Sequence, residues 1–150
     1  MNTIRLRQAV LTDLDELSVL FDGYRQFYEQ PSNVAAAKSF LLERFNHNES
    51  VLFIAHDGAT PVGFAQLYPS FSSVSLGRIY IVNDLFVSET ARGKGIGPRL
   101  LAASIAYAKT VGAIRLALST ALTNTRAQAV YAAEGWSRDD DFFYVYTLKA

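Results

Sequence analysis

The chain has 150 residues, 50% of them hydrophobic, with 14 basic and 14 acidic side chains and a formal net charge of zero. That length and composition fit one domain, residues 1–150, with a sizeable buried core, and the charge balance argues against a dedicated nucleic-acid binder. There is no cysteine, which excludes disulfides, thiolate catalysis and Cys-based zinc sites and is compatible with a reducing cytoplasm.

Met1 to Val10 alternates polar and apolar residues and lacks the apolar core of a secretory leader. No apolar run approaches the roughly 20 residues that span a bilayer, so no membrane partner is expected. Ile4 to Gln8 reads as a strand. Thr12 followed by Asp15 reads as a capping box. Leu14, Leu17, Leu20, Phe21, Tyr24 and Phe27 then recur at helical spacing. Pro31 breaks that helix, and a second carries Val34, Ala37, Phe40, Leu41 and Phe45. Val51 to Ala55 is a β-rich run, Asp57-Gly58 a hairpin signal, and Pro61 to Tyr68 the returning strand. Phe71 to Leu76 reads as a serine-rich loop and Arg78 to Val87 as a long strand. Pro98 suits the first turn of a helix, whose face carries Leu101, Ile105, Ala108 and Val111 before Gly112 ends it. Ile114 to Ser119 reads as a strand, Asn124 to Glu134 as a helix and Phe142 to Leu148 as a last strand. The expected class is α/β: a mixed, largely antiparallel sheet with helices on both faces.

The chemistry is concentrated where the long strand runs into Arg92-Gly93-Lys94-Gly95-Ile96-Gly97. Glycines let the backbone adopt positive φ and let a ligand approach bare N–H groups. The following helix offers unpaired N–H groups and a partial positive charge. Phosphate oxygens are the natural occupant, with Arg92 and Lys94 adding charge. A Walker A loop needs Ser or Thr after the lysine, and Gly95 stands there instead. The dinucleotide fingerprint needs a third glycine one residue later and an acid about 20 positions on. Neither is present.

The remaining pattern, R-x-x-G-x-G, resembles the acetyl-coenzyme A signature of the GNAT acyltransferase superfamily. Asn124, Ala127, Tyr131, Gly135 and Trp136 resemble that superfamily's N-x-x-A-x-x-x-Y-x-x-x-G-[FW] segment. Leu85-Phe86-Val87 is similar to the strand that pairs with the cofactor's pantetheine arm. The likeness covers the whole chain in layout and is specific from about Ile79 to Trp136. It implies a GNAT-like sheet with a splayed strand pair holding acetyl-coenzyme A. The cofactor residues it implies are Leu85, Phe86, Val87, Arg92, Gly93, Lys94, Gly95, Ile96, Gly97 and Asn124.

It also implies N-acetyl transfer by direct attack of a primary amine on the thioester. A backbone N–H of the Leu85–Val87 strand would stabilise charge on the carbonyl oxygen. Tyr131 matches the superfamily's tyrosine acid, which protonates the departing thiolate. The amine must lose a proton, since its free pKa is about 10.4. Some polyamine-acetylating relatives use a glutamate in this strand. Asn83 stands at that position and cannot serve as a base, which makes Asp84 the candidate. Strand neighbours point to opposite faces, so without a bulge only one of Asn83 and Asp84 faces the acceptor.

The segment from Asp22 to Pro31 resembles one found in histone- and polyamine-acetylating relatives of yeast type. From it Asp22, Tyr24, Tyr28 and Glu29, together with Tyr80, are candidates for holding a cationic acceptor. That acceptor is a small-molecule or polyamine-like amine, or a lysine of a peptide. His47 and His56 lack metal-ligand spacing, and Asp139-Asp140-Asp141 reads as a solvated turn, so no metal is expected. A homodimer through the aromatic segment Phe142 to Tyr146 is a further expectation. A non-catalytic acyl-coenzyme A sensor, which keeps Arg92–Gly97 but does not need Tyr131, is the alternative.

Overall fold

A computed structural model describes residues 3–148. Met1 and Asn2, where the reading of the N-terminal segment begins, lie outside the described residues. The chain divides into two compact units, residues 1–119 and residues 120–150, and each is described by itself.

The first unit is built on a five-stranded sheet. Strands β1 (Ile4–Gln8), β2 (Val51–Asp57), β3 (Thr60–Ser72) and β4 (Gly77–Val87) pair antiparallel in chain order, and β5 (Arg115–Ala117) joins β4 in parallel. Helices α1 (Leu14–Phe27) and α2 (Val34–Asn46) connect β1 to β2, and α3 (Ile96–Thr110) connects β4 to β5. Leu14, Leu17, Leu20 and Phe21 of α1, with Ala37 and Leu41 of α2, pack on Leu52, Ile54 and Phe64 of the sheet. The opposite face belongs to α3. A Cβ on Gly63, the neighbour of Phe64, would stand 3.5 Å from Ile96 and 3.4 Å from Leu100. Strand residues alternate between faces, so α1 and α3 lie on opposite sides of the sheet.

Three local expectations are corrected. Thr12 does not begin a capping box. A 3-10 turn at Leu11–Asp13 precedes α1, and Asp13 instead accepts the Val10 N–H at 2.7 Å and two bonds from Arg7, each 2.7 Å. The loop expected at Phe71–Leu76 shrinks to residues 73–76. Cross-strand pairing continues through Phe71–Arg78 and Ser72–Gly77, and the Arg78 guanidinium lies 4.6 Å from the Phe71 ring centre. Phe142 to Leu148 forms no strand. The composition favours β structure, but a strand exists only where a neighbour completes its ladder. Within its unit none does, and Phe142 to Tyr146 stand 87–95% exposed. That unit's regular element is α4 (Thr125–Ala133), capped by Asn124 and followed by Gly135 at φ 93°.

Two irregularities in β4 position the site. The register jumps from Gln66–Asp84 to Leu67–Val82, leaving Asn83 as an extra, bulged residue. Pairing with β5 covers only Ile79 to Ile81. From Val82 to Val87 the outer edge of β4 therefore has no strand beside it among the described residues. Pairing between the two strands ends at Ile81 and Ala117.

Candidate active site

Beyond Val87 the chain makes a 3-10 turn at Glu89–Ala91 and enters the glycine-rich turn. Gly93 has φ 80° and Gly95 φ 75°, a left-handed conformation that side-chain-bearing residues rarely adopt. Gly95 is the N-cap of α3, and no side chain caps this end. The first bond of the helix runs from Arg99 N–H to Gly95 C=O at 3.3 Å. The N–H groups of Ile96 and Gly97 thus point out of the helix start, and Pro98 has none to offer. A Cβ on Gly93, Gly95 or Gly97 would meet no protein atom within 4 Å. Gly97 has no positive φ to justify its identity, so the open space above it is what the glycine preserves. This turn fits a pyrophosphate.

Arg92 and Lys94 flank it differently. The Arg92 Nε–H donates to Val87 C=O at 3.0 Å, and its guanidinium lies 5.5 Å from the Phe27 ring centre and 5.9 Å from that of Phe86. Lys94 Nζ stands 3.8 Å from Asp57 Oδ2, an exposed pair of little energetic weight. Leu85, Phe86 and Val87 form the open-edged end of β4, and Ile96 is buried beneath the turn.

On the α1 face, the bulge at Asn83 collects polar groups around Asp84. Asp84 is 3% exposed. Gln66 Nε2 donates to its Oδ2 at 2.5 Å, and Asn83 Nδ2 donates to its Oδ1 at 3.0 Å. Tyr24 reaches over from α1, its hydroxyl making a long bond of 3.4 Å to Asn83 C=O. Burial and the nearby Asp84 carboxylate push the Tyr24 phenol well above its ordinary range. Tyr68 is pushed up to about 12, first by burial and then by Asp84, against a smaller opposing pull from Arg44. Both phenols keep their protons at neutral pH. Gln66 and Tyr68 were not anticipated. The one signal for Gln66 is a polar residue amid the apolar run of β3, Val62 to Leu67.

The expected acceptor residues do not all meet. Tyr24 and Tyr28 contact each other edge to face at 5.1 Å, and Tyr24 packs on Phe86. Glu29 sits exposed just beyond α1 at φ 64°. Asp22 is 4% exposed, and its carboxylate accepts from Gln26, Ser32 and the Asn33 N–H at 2.7–2.9 Å, pinning the α1–α2 connection. Those donors hold it below the usual aspartate range. Tyr80 is buried on the α3 face against Tyr107, on the other side of the sheet from Tyr24. In the second unit, Asn124 Oδ1 accepts the Ala127 N–H at 3.2 Å, and the Tyr131 ring lies 6.5 Å from that of Trp136. Among the described residues no cluster of His, Cys, Asp or Glu could hold a metal ion, and no helix is long and apolar enough to cross a membrane.

Residues 16–136 match the family model described as "Acetyltransferase (GNAT) family". The chain is 45% identical over 141 residues to "Uncharacterized N-acetyltransferase YhfO" of Bacillus subtilis (strain 168), covering 94% of this chain and 95% of that protein. A solved structure described as a probable acetyltransferase superposes with TM-score 0.85 at 41% identity, covering 97% of each chain. The aminoglycoside N-acetyltransferase AAC(6')-Iy, solved in complex with CoA, shares the fold at TM-score 0.80 and 20% identity, over 96% of this chain and 94% of that one. The glycine turn, the open edge of β4 and these likenesses agree: the chain belongs to the GNAT family of acetyltransferases, which take their acetyl group from acetyl-coenzyme A.

Proposed function

We propose that this protein acetylates a primary amine by direct attack on acetyl-coenzyme A, with Asp84 as the acceptor of the amine's proton. The single observation that carries this reading is the Asp84 carboxylate, fixed by two amide donors at a bulge beside the open edge of β4. The family match runs from residue 16 to 136 and so crosses both compact units. We therefore read residues 1–150 as one acetyltransferase domain, working in the reducing cytoplasm.

When bound, acetyl-coenzyme A supplies an activated acyl group and a thiolate leaving group. In this reading the turn Arg92–Gly97 would hold its pyrophosphate and Leu85, Phe86 and Val87 its pantetheine arm, and Asn124 is a further residue that would bind it. The neutral amine nitrogen would form the new C–N bond as the thioester C–S bond breaks and the thiolate leaves. An N–H on the unpaired edge of β4 stabilises the carbonyl oxygen. The proton lost by the amine passes to Asp84. Because that carboxylate is buried, the transfer runs through the Tyr24 hydroxyl or a bridging water. A phenol that keeps its proton can accept one and donate one in the same step. Tyr131 gives its proton to the departing sulfur.

The amine carries a second cationic or polar group, in keeping with the likeness of the α1 segment to yeast-type polyamine-acetylating relatives. Tyr24 and Tyr28 offer ring faces, and Glu29 offers an exposed charge at the rim. Asp22 serves by holding the connection behind them. Replacing Asp84 tests the reading. Asp84→Asn keeps size and hydrogen bonding but cannot take a proton at neutral pH, so kcat/KM should fall about 10²- to 10⁴-fold. Acetyl-coenzyme A affinity should stay near parental. Full activity in this variant would remove Asp84 from the chemistry.

A further inference from the structure

Gln66 is completely buried in β3, and its two polar atoms have opposite fates. Nε2 donates to Asp84 at 2.5 Å. Oε1 has no hydrogen-bond partner among the described residues. A buried acceptor without a partner costs folding free energy, and an apolar side chain of equal volume would avoid that cost. The position is also specific. Gln66 and Asp84 are the last register pair before the jump at Asn83, so Gln66 holds the carboxylate at the point where the strand changes face.

We infer that Gln66 is a positioning residue for acetyl transfer: its amide locks the Asp84 carboxylate in the one orientation that receives the amine's proton. The inference rests on the assignment of Asp84 as proton acceptor. Asn83 Nδ2 supplies the second lock on the other oxygen. The remaining groups facing the carboxylate are Tyr24 from α1 and Tyr68 from β3; Tyr28, just beyond α1, acts on Tyr24, and Arg44 from α2 acts on Tyr68. No Lys or Arg side chain makes an ion pair with Asp84 among the described residues. Two neutral amide donors thus fix the orientation of the carboxylate.

The test is Gln66→Met, which keeps the volume and removes both donor and orphan acceptor, compared with Asp84→Asn and the double variant. Gln66→Leu replaces it if Met fails to fold. Thermal melting, acetyl-coenzyme A binding by calorimetry, and amine-dependent kcat and KM across pH are measured. The expected result is a melting temperature at or above parental, unchanged cofactor affinity and amine KM, and a kcat lowered up to about 100-fold. The loss should fall on kcat and not on KM. In the Asp84→Asn background the same change should add little, since the two residues act as a unit. A parental kcat in Gln66→Met with Asp84→Asn still impaired would overturn the role of Gln66 and leave Asp84 standing. Parental activity in Asp84→Asn would instead defeat the underlying assignment, whatever Gln66→Met does.

Discussion

Arg92 Nε–H is bonded to the Val87 carbonyl at 3.0 Å, so the first residue of the glycine-rich turn is tied back to the last residue of β4. The same guanidinium spans the rings of Phe27 on α1 and Phe86 on β4. A motif residue expected to offer charge to a phosphate also joins the turn to the end of α1. Lysine keeps the charge but has neither the planar face nor the fixed fork. Arg92→Lys should lower unfolding free energy in urea by about 0.5–1 kcal/mol, the scale of an exposed cation–π contact. Acetyl-coenzyme A binding should weaken with it. Parental stability in urea would mean that the stack contributes nothing.

Gly95 is left-handed at φ 75° and caps α3. Gly95→Val adds a branched side chain to a conformation that such residues avoid, at a cost of order 1–3 kcal/mol. The added Cβ meets no protein atom and fills the space above the helix start. Calorimetry should find acetyl-coenzyme A binding abolished while circular dichroism remains near parental. Retained binding would move the pyrophosphate elsewhere.

Tyr131 is expected to protonate the departing thiolate. Tyr131→Phe keeps the ring that lies beside Trp136 and removes the hydroxyl. A positioned acid contributes about 10²- to 10⁴-fold, so kcat should fall within that range with little change in cofactor affinity. Near-parental kcat under conditions where chemistry limits the rate would assign the proton to another donor.

Asp22 and Asp13 link stability to pH. Each is held below the ordinary aspartate range, Asp22 chiefly by the Asn33 N–H and Asp13 chiefly by Arg7. A carboxylate with a lowered folded-state pKa adds stability that is fully present above its unfolded value, about 3.9. That stability is lost as pH falls through the folded value. Urea unfolding should therefore show a decline below about pH 4. Asp22→Ala should flatten that decline and cost about 1.5–3 kcal/mol at neutral pH, the scale of a hydrogen bond to a charged group, because the Asn33 N–H loses its acceptor. An unchanged slope would show that the α1–α2 connection does not depend on this carboxylate.

The parts of the fold legible in the sequence are those set by short-range rules. Leu14, Leu17, Leu20 and Phe21 announce α1 by spacing, and Gly93 and Gly95 announce their turn because a left-handed backbone is a local demand. Asn124 and Gly135 mark the ends of α4 for the same reason. The bulge at Asn83 leaves no mark, since an extra residue in a strand alters register and not composition. That bulge brings Asn83 and Asp84 together, where strict alternation would separate them. The Asp84 cluster draws on α1, β3 and β4, so Gln66 and Tyr68 join it only through tertiary pairing. Phe142 to Leu148 errs the other way: β-rich composition cannot supply the neighbour that a strand requires.

The central claim is that a neutral primary amine receives the acetyl group. Thiol release from acetyl-coenzyme A, measured with polyamines, amino acids, aminoglycosides and lysine peptides across pH, tests it most directly. An amine with a pKa of about 10.4 is almost wholly protonated at pH 7. The account predicts amine-dependent release whose kcat/KM rises with pH, strongest for acceptors bearing a second cationic group. Release that depends only on hydroxyl or thiol acceptors, or tight acetyl-coenzyme A binding with no release to any amine, would contradict it.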